Sequence, residues 1–241
     1  MRAQSVEGVF GRSWQLLTRN WVLIVPGLII GVIVGLAQAV FGAPGDDSSG
    51  GSLAGAVGAF VANIVVTVIA LLGAIANTAY TTGMAGAAWE RGTTTLADGR
   101  RAFERDAGHI FVAMIGLFVL GIVAAILAIP TLGLALLAYV LLFIYTMPAA
   151  VVGERRGIDA LAESYRMATK RFWTTLIVVV LIGVIAVGAW FIIAALHFAP
   201  FIGPLVGAII DQMAVAYFTL VVVGEYLNLR AAAEPPPTFH P

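Results

Sequence analysis

The sequence predicts an all-α, polytopic membrane protein with six transmembrane helices. Three observations predict it. Of 241 residues, 61% are hydrophobic and 11% charged, with a mean hydropathy of +1.00, outside the range of soluble domains. Six apolar runs are each long enough to cross ~30 Å of hydrocarbon, which takes about 20 residues at ~1.5 Å of rise. Threading those runs in turn leaves all thirteen Lys and Arg residues on one side. Cation-rich connectors stay cytoplasmic, so both termini are expected inside.

The runs are 21–41, 53–75, 108–129, 131–152, 173–196 and 205–227 of a single domain, 1–233. Arg2, Arg12 and Arg19 precede the first run. Arg91, Arg100, Arg101 and Arg105 separate the second from the third. Arg155, Arg156, Arg166, Lys170 and Arg171 separate the fourth from the fifth, and Arg230 follows the sixth. The connections within each pair of runs carry no cation, which makes three hairpins. Runs three and four meet in a tight turn at Ile129-Pro130-Thr131, and runs five and six at His197-Phe198-Ala199-Pro200. Apolar character after run two continues to Trp89. The helix either protrudes into the cytoplasm or bends near Gly83 and Gly86. The bend is the expectation, because Asn77, Thr78, Tyr80, Thr81 and Thr82 read as a headgroup-level zone. Ala37-Gln38-Ala39 resembles a signal-peptide cleavage site. The long basic stretch ahead of it favours a retained span. Glu234-Pro235-Pro236-Pro237 opens a tail, 234–241, expected to be extended and disordered.

Net charge is zero and there is no cysteine, so nothing points to nucleic acid, a thiol nucleophile or a thiolate metal site. No cofactor is expected. Arg outnumbers Lys twelve to one, the mark of a GC-rich bacterial genome, and the expected location is the bacterial inner membrane.

An internal repeat divides the chain. The nine residues from Ser13-Trp14 to Asn20-Trp21 match those from Ser164-Tyr165 to Arg171-Phe172 as Ser, aromatic, polar, apolar, apolar, Thr, cation, polar, aromatic. A weaker copy runs from Ala102-Phe103 to His109-Ile110-Phe111. Each copy leads into a span, so each hairpin is expected to follow an amphipathic helix lying in the interface. In the third unit, Ile158, Leu161, Tyr165 and Phe172 form the expected apolar face, with Glu163, Arg166 and Lys170 turned away. These helices either form a platform for a partner or only cover the bundle and set the angle of the next span.

Tyr145-Thr146-Met147-Pro148-Ala149-Ala150-Val151-Val152-Gly153-Glu154, then Ala160-Leu161, Ser164-Tyr165 and Lys170-Arg171-Phe172-Trp173, resemble the signature of a bacterial six-helix family. It is named after the membrane domain of glycerophosphoryl diester phosphodiesterase. The motif covers 145–173, and the hydropathy likeness nearly the whole chain. In the named proteins catalysis lies in a separate soluble barrel, which has no room here. The resemblance therefore implies fold, not phosphodiesterase activity.

Asp211 is singled out as the acidic residue inside an apolar run. A charge at mid-bilayer costs ~3 kcal/mol on insertion scales and usually faces a bundle interior or a wet cavity. One reading makes it a cation or proton site with Gln212, His197, Asn63 or Gln38. The other makes it a carboxyl bonded to a neighbouring helix or reaching the headgroups. Gly27, Gly31 and Gly35, four apart on run one, are a candidate close-packing face for a helix of this chain or of a second copy. Glu154, Arg155, Arg156, Ser164, Tyr165, Arg166, Lys170 and Arg171 are the candidate cytoplasmic interface. His109, His197 and His240 do not cluster at ligand spacing, and no phosphate loop, nucleophile elbow or carboxylate pair appears.

Three functions compete. The first is a non-enzymatic scaffold or accessory subunit with membrane lipids, a protein partner or a second copy as its partners. The alternative is a small transporter or channel using Asp211. A lipid-acting enzyme has only the basic cluster in its favour.

Overall fold

The computed structural model describes residues 4–41, 53–196 and 202–233, and among these there is no strand. The helices are α1 (Val6–Arg19), α2 (Val25–Phe41), α3 (Leu53–Arg91), α4 (Leu96–Ala128), α5 (Leu134–Phe143), α6 (Thr146–Val151), α7 (Ile158–Lys170), α8 (Phe172–Leu196) and α9 (Ile202–Ala233). A short 3-10 turn, Trp21–Ile24, precedes α2. Six segments are long and apolar enough to cross a membrane: Trp21–Phe41, Val57–Arg91, Leu96–Ala128, Leu134–Val151, Phe172–Leu196 and Gly203–Ala233. The chain is thus a multi-pass membrane protein. His197 and the tail 234–241 lie outside the described residues.

Consecutive spans pack together: α2 on α3, α4 on α5, α8 on α9. α9 also packs on α1 and α3. Gln4 and Asn228 exchange hydrogen bonds of 2.8 and 3.0 Å, which brings the two described ends of the chain together. On α8, Trp190 follows Trp173 by seventeen residues, ~26 Å of helical rise. Both rings are exposed, each beside a Phe, as in the aromatic girdles at the two membrane surfaces.

The expected bend in the second run is absent. α3 continues unbroken for 39 residues, about 58 Å. Thr78 donates to the carbonyl of Ala74, and Thr81 to the side chain of Asn77. These polar groups are satisfied along the helix itself and do not mark a headgroup-level break. A Cβ on Gly83 would meet that of Ala102 at 2.4 Å, and one on Gly86 would meet Val152 at 2.9 Å. The glycines admit neighbours and do not bend the chain.

The fourth run does break. α5 ends at Phe143 and α6 begins at Thr146. Pro148 has no N–H for the carbonyl four residues earlier and its ring crowds that turn. That leaves the Ile144 carbonyl without its helical donor. The Tyr145 N–H, in the gap between the two helices, goes to Ser164 Oγ on α7 at 3.1 Å, and Ser164 donates to Leu142 O at 2.9 Å.

The three lead-in helices end alike. The backbone leaves helical values at Asn20 (φ −126°, ψ 59°), Asp106 (φ −126°, ψ 17°) and Arg171 (φ −124°, ψ 44°). Asn20 and Arg171 confirm the register of the first and third copies. The middle copy shifts by three residues: Asp106, not His109, matches Asn20, so Gly99 matches Ser13 and Ser164. All three are buried, and a Cβ on Gly99 would lie 2.8 Å from the Tyr80 ring. A small residue is needed there because a spanning helix crosses at that point.

The amphipathic face expected on α7 holds in part: Leu161 and Glu163 depart from it. Ile158 and Tyr165 are exposed, whereas Ala160, Leu161, Glu163, Ser164 and Ala168 are buried. Small and polar side chains permit contact with α5 and α6, and the large apolar ones are left for the surroundings.

Candidate functional site

Polar contacts gather where the lead-in helices meet the spans. At the start of α4, the Asp98 carboxylate accepts from the Thr95 N–H at 2.9 Å and the Thr95 hydroxyl at 3.0 Å, the reach-back half of a capping box. Arg91 and Arg101 each approach it at 2.8 Å. Burial works to raise the Asp98 carboxyl, but the hydrogen bonds from Arg91 and Thr95 prevail and hold it below the ordinary aspartate value. Asp98 precedes the Asp106 kink, in the charged part of α4 ahead of the apolar run. Nearby, Arg105 bridges Asp106 at 2.7 Å and Glu154 at 2.9 Å and donates to Val151 O. A cavity of about 420 Å³ opens among Glu90, Arg91, Asp98, Arg101, Arg105 and Glu154. Its three arginines face three carboxylates, so it is close to neutral.

A second network joins α7 to α9. Glu163, expected to face away, is buried, accepts from Tyr226 Oη at 2.9 Å and pairs with Arg155. Tyr145 Oη donates to Thr175 Oγ1 at 3.4 Å. Glu225 is fully buried. Asn228 reaches one of its oxygens at 3.4 Å, and the other has no partner among the described residues. Glu225 lies inside run six by its own bounds, so Asp211 was not the only acid there. It went unnoticed because it sits at the charged end of the run.

Of the interface candidates, Glu154, Arg155, Arg156, Tyr165, Arg166, Lys170 and Arg171 are exposed. Ser164 is not: it is fully buried and serves the break at Tyr145. Arg166, Lys170 and Arg171 line a separate groove of about 260 Å³ with Met167, Leu229, Ala232 and Ala233.

Asp211 is exposed and accepts from Gln212 Nε2 at 3.0 Å. Gln212 in turn fills the notch at Gly27, where a Cβ would sit 1.6 Å from its Oε1. Two sets of candidates thus meet at one helix crossing. Asn63 makes no hydrogen bond to either residue among the described residues. Gly31 and Gly35 meet no neighbour among the described residues, so of the three glycines only Gly27 packs on another described helix.

Asp98 is not among the residues the sequence reading singles out, although the Thr95-x-x-Asp98 spacing is a signal of a helix start. No local pattern announces the burial of Glu163. Compared with family models, curated proteins and solved structures, the chain matches none.

Proposed function

We propose that this protein is a non-enzymatic scaffold or accessory subunit of the bacterial inner membrane. Its three helical hairpins are anchored from a cytoplasmic face that carries both termini. One observation carries this reading. α1 and α7 bury one side in the bundle and turn Trp14, Tyr165, Arg166 and Lys170 outward, so the charged end is a braced platform with an aromatic and basic surface. The transport reading lacks a comparable feature, because Asp211 is exposed and bonded to its own neighbour. Kinship with the six-helix family named above belongs to the same proposal. It is supported by Pro148 and Ser164 acting as one unit, the first breaking a span and the second bonding the break.

The reading is tested on purified protein in proteoliposomes and on native membranes. Proton, cation and solute fluxes should equal those of empty liposomes. A photo-crosslinker at Arg156 should capture one defined partner, and a reporter on either terminus should face the cytoplasm. A flux that Asp211→Asn abolishes would overturn the proposal in favour of transport.

A further inference from the structure

We infer that the groove between the end of α7 and the last turns of α9 binds the phosphate of an anionic phospholipid headgroup. The inference needs only that α8 crosses the membrane, and it stands whether the chain is a scaffold or a transporter.

Charge is the first argument. Arg91, Arg100, Arg101, Arg105 and Arg155 each have a carboxylate within ion-pair distance, and Arg12 lies 4.5 Å over the Trp89 ring. Arg166, Lys170 and Arg171 have no such carboxylate among the described residues. Arg166 and Lys170 stand one helical turn apart, a spacing at which like charges repel. The groove they share with Arg171 has no acid in its lining. Glu225 attracts Arg171 from inside the protein. On its other side Arg166 borders a recess with Asp159 and Glu163, of which Glu163 is already paired with Arg155. Within the groove itself no carboxylate offsets the three cations. An anion arriving from outside does. Guanidinium groups present paired donors that fit phosphate oxygens, and the ammonium adds a compact charge.

Depth is the second argument, and it selects a lipid over a dissolved phosphate. The apolar run of α8 begins immediately after Arg171. Phe172 and Trp173 are exposed there, with ring centroids 5.6 Å apart, at the level where aromatic side chains meet headgroups. Beyond them Ile177, Val180, Leu181 and Val184 form an exposed apolar strip along α8, a track for acyl chains below a phosphate held in the groove. A zwitterionic lipid brings its own ammonium into that cationic groove and binds less well.

The test uses full-length protein in nonionic detergent. Phosphatidylglycerol, phosphatidylcholine and inorganic phosphate are titrated separately, with native mass spectrometry counting retained lipid and thermal melting reporting stabilisation. Phosphatidylglycerol should bind at least about tenfold more tightly than phosphatidylcholine, and inorganic phosphate should not reproduce its stabilisation. Arg166→Gln/Lys170→Gln keeps Arg171 and its attraction to Glu225. It should weaken phosphatidylglycerol about 30-fold, from ~1 kcal/mol per cation at a membrane surface and 1.4 kcal/mol per tenfold. Lys170→Gln alone should weaken it about fivefold, whereas Arg100→Gln/Arg101→Gln should leave it within about twofold. Equal binding of the two lipids, equal losses in the two double variants, or full stabilisation by phosphate alone would each overturn the inference.

Discussion

At the end of the bundle where the lead-in helices sit, Met84, Trp89, Tyr145 and Tyr226 are almost wholly buried, and side chains cross-link neighbouring helices. Toward the other end the same helices bury little beyond Ala37, Val66 and Ala124, while Val40, Phe60, Ile126 and Trp190 are each more than 60% exposed. The difference follows from the solvent. Lipid tails are as apolar as Leu or Val, so burying those side chains against each other gains little, and cohesion falls to close packing and polar contacts. Nearly all the polar contacts lie at the first end. There Trp89 Nε1 donates to Leu220 O at 2.8 Å, and Asn20 links α1 to the α3–α4 turn through Gly92 O and the Thr94 N–H.

Trp89→Ala should separate the two ends most clearly. It removes a filled volume, the bond to Leu220 and the ring beneath Arg12. Thermal melting in detergent should show a loss of about 3 kcal/mol. A smaller loss than from truncating Phe60 to Ala would break the comparison. Next comes Asp98→Asn, which discharges the group that Arg91 and Arg101 share and weakens the start of α4. Both arginines are half-exposed or more and solvent screens them, so about 1–2 kcal/mol is expected, most of it from the cap. The effect should shrink at low pH, where wild-type Asp98 also loses its charge. Its carboxyl titrates below the ordinary value, so its contribution is present at neutral pH and is lost only as pH falls through that depressed value.

Ser164→Ala against Ser13→Ala is a finer probe, because the two residues occupy the same place in the repeat. Ser164 bonds the broken turn at Tyr145, and its loss leaves a buried N–H unpaired, at about 1–2 kcal/mol. Ser13 Oγ has no partner among the described residues, so Ser13→Ala should leave the melting temperature nearly unchanged. Equal effects would show that the repeat position, not the break, sets the requirement. Gly31→Ile should do least. Its Cβ meets nothing within 4 Å, so both the melting curve and the elution volume should match those of wild type. A changed elution volume would reveal a second copy packed on α2.

Much of the fold was legible because a membrane constrains sequence strongly. A span needs about twenty apolar residues, and α8 and α2 begin and end within a few residues of the runs that announce them. The repeat was legible as well, since Ser13 and Ser164 mark the same point on equivalent helices. The middle copy was misaligned because Gly99 carries no side chain to match. The site was less legible. Glu163 reads as one more charged residue on a polar face until Tyr226 and Arg155, distant in sequence, converge on it. Glu225 is hidden differently, by its place at the charged end of an apolar run.

By itself the amino-acid order determined the six apolar helices long enough to span a membrane and the helices that lead into them, since these depend on local hydropathy. Only the tertiary arrangement decided which cations are neutralised and which stay open. It also decided that α3 runs straight past Gly83 and that Gln212 fills the notch at Gly27. Those outcomes depend on which helix faces which, and a one-dimensional pattern of apolar residues in a uniformly apolar solvent does not distinguish one helix face from another.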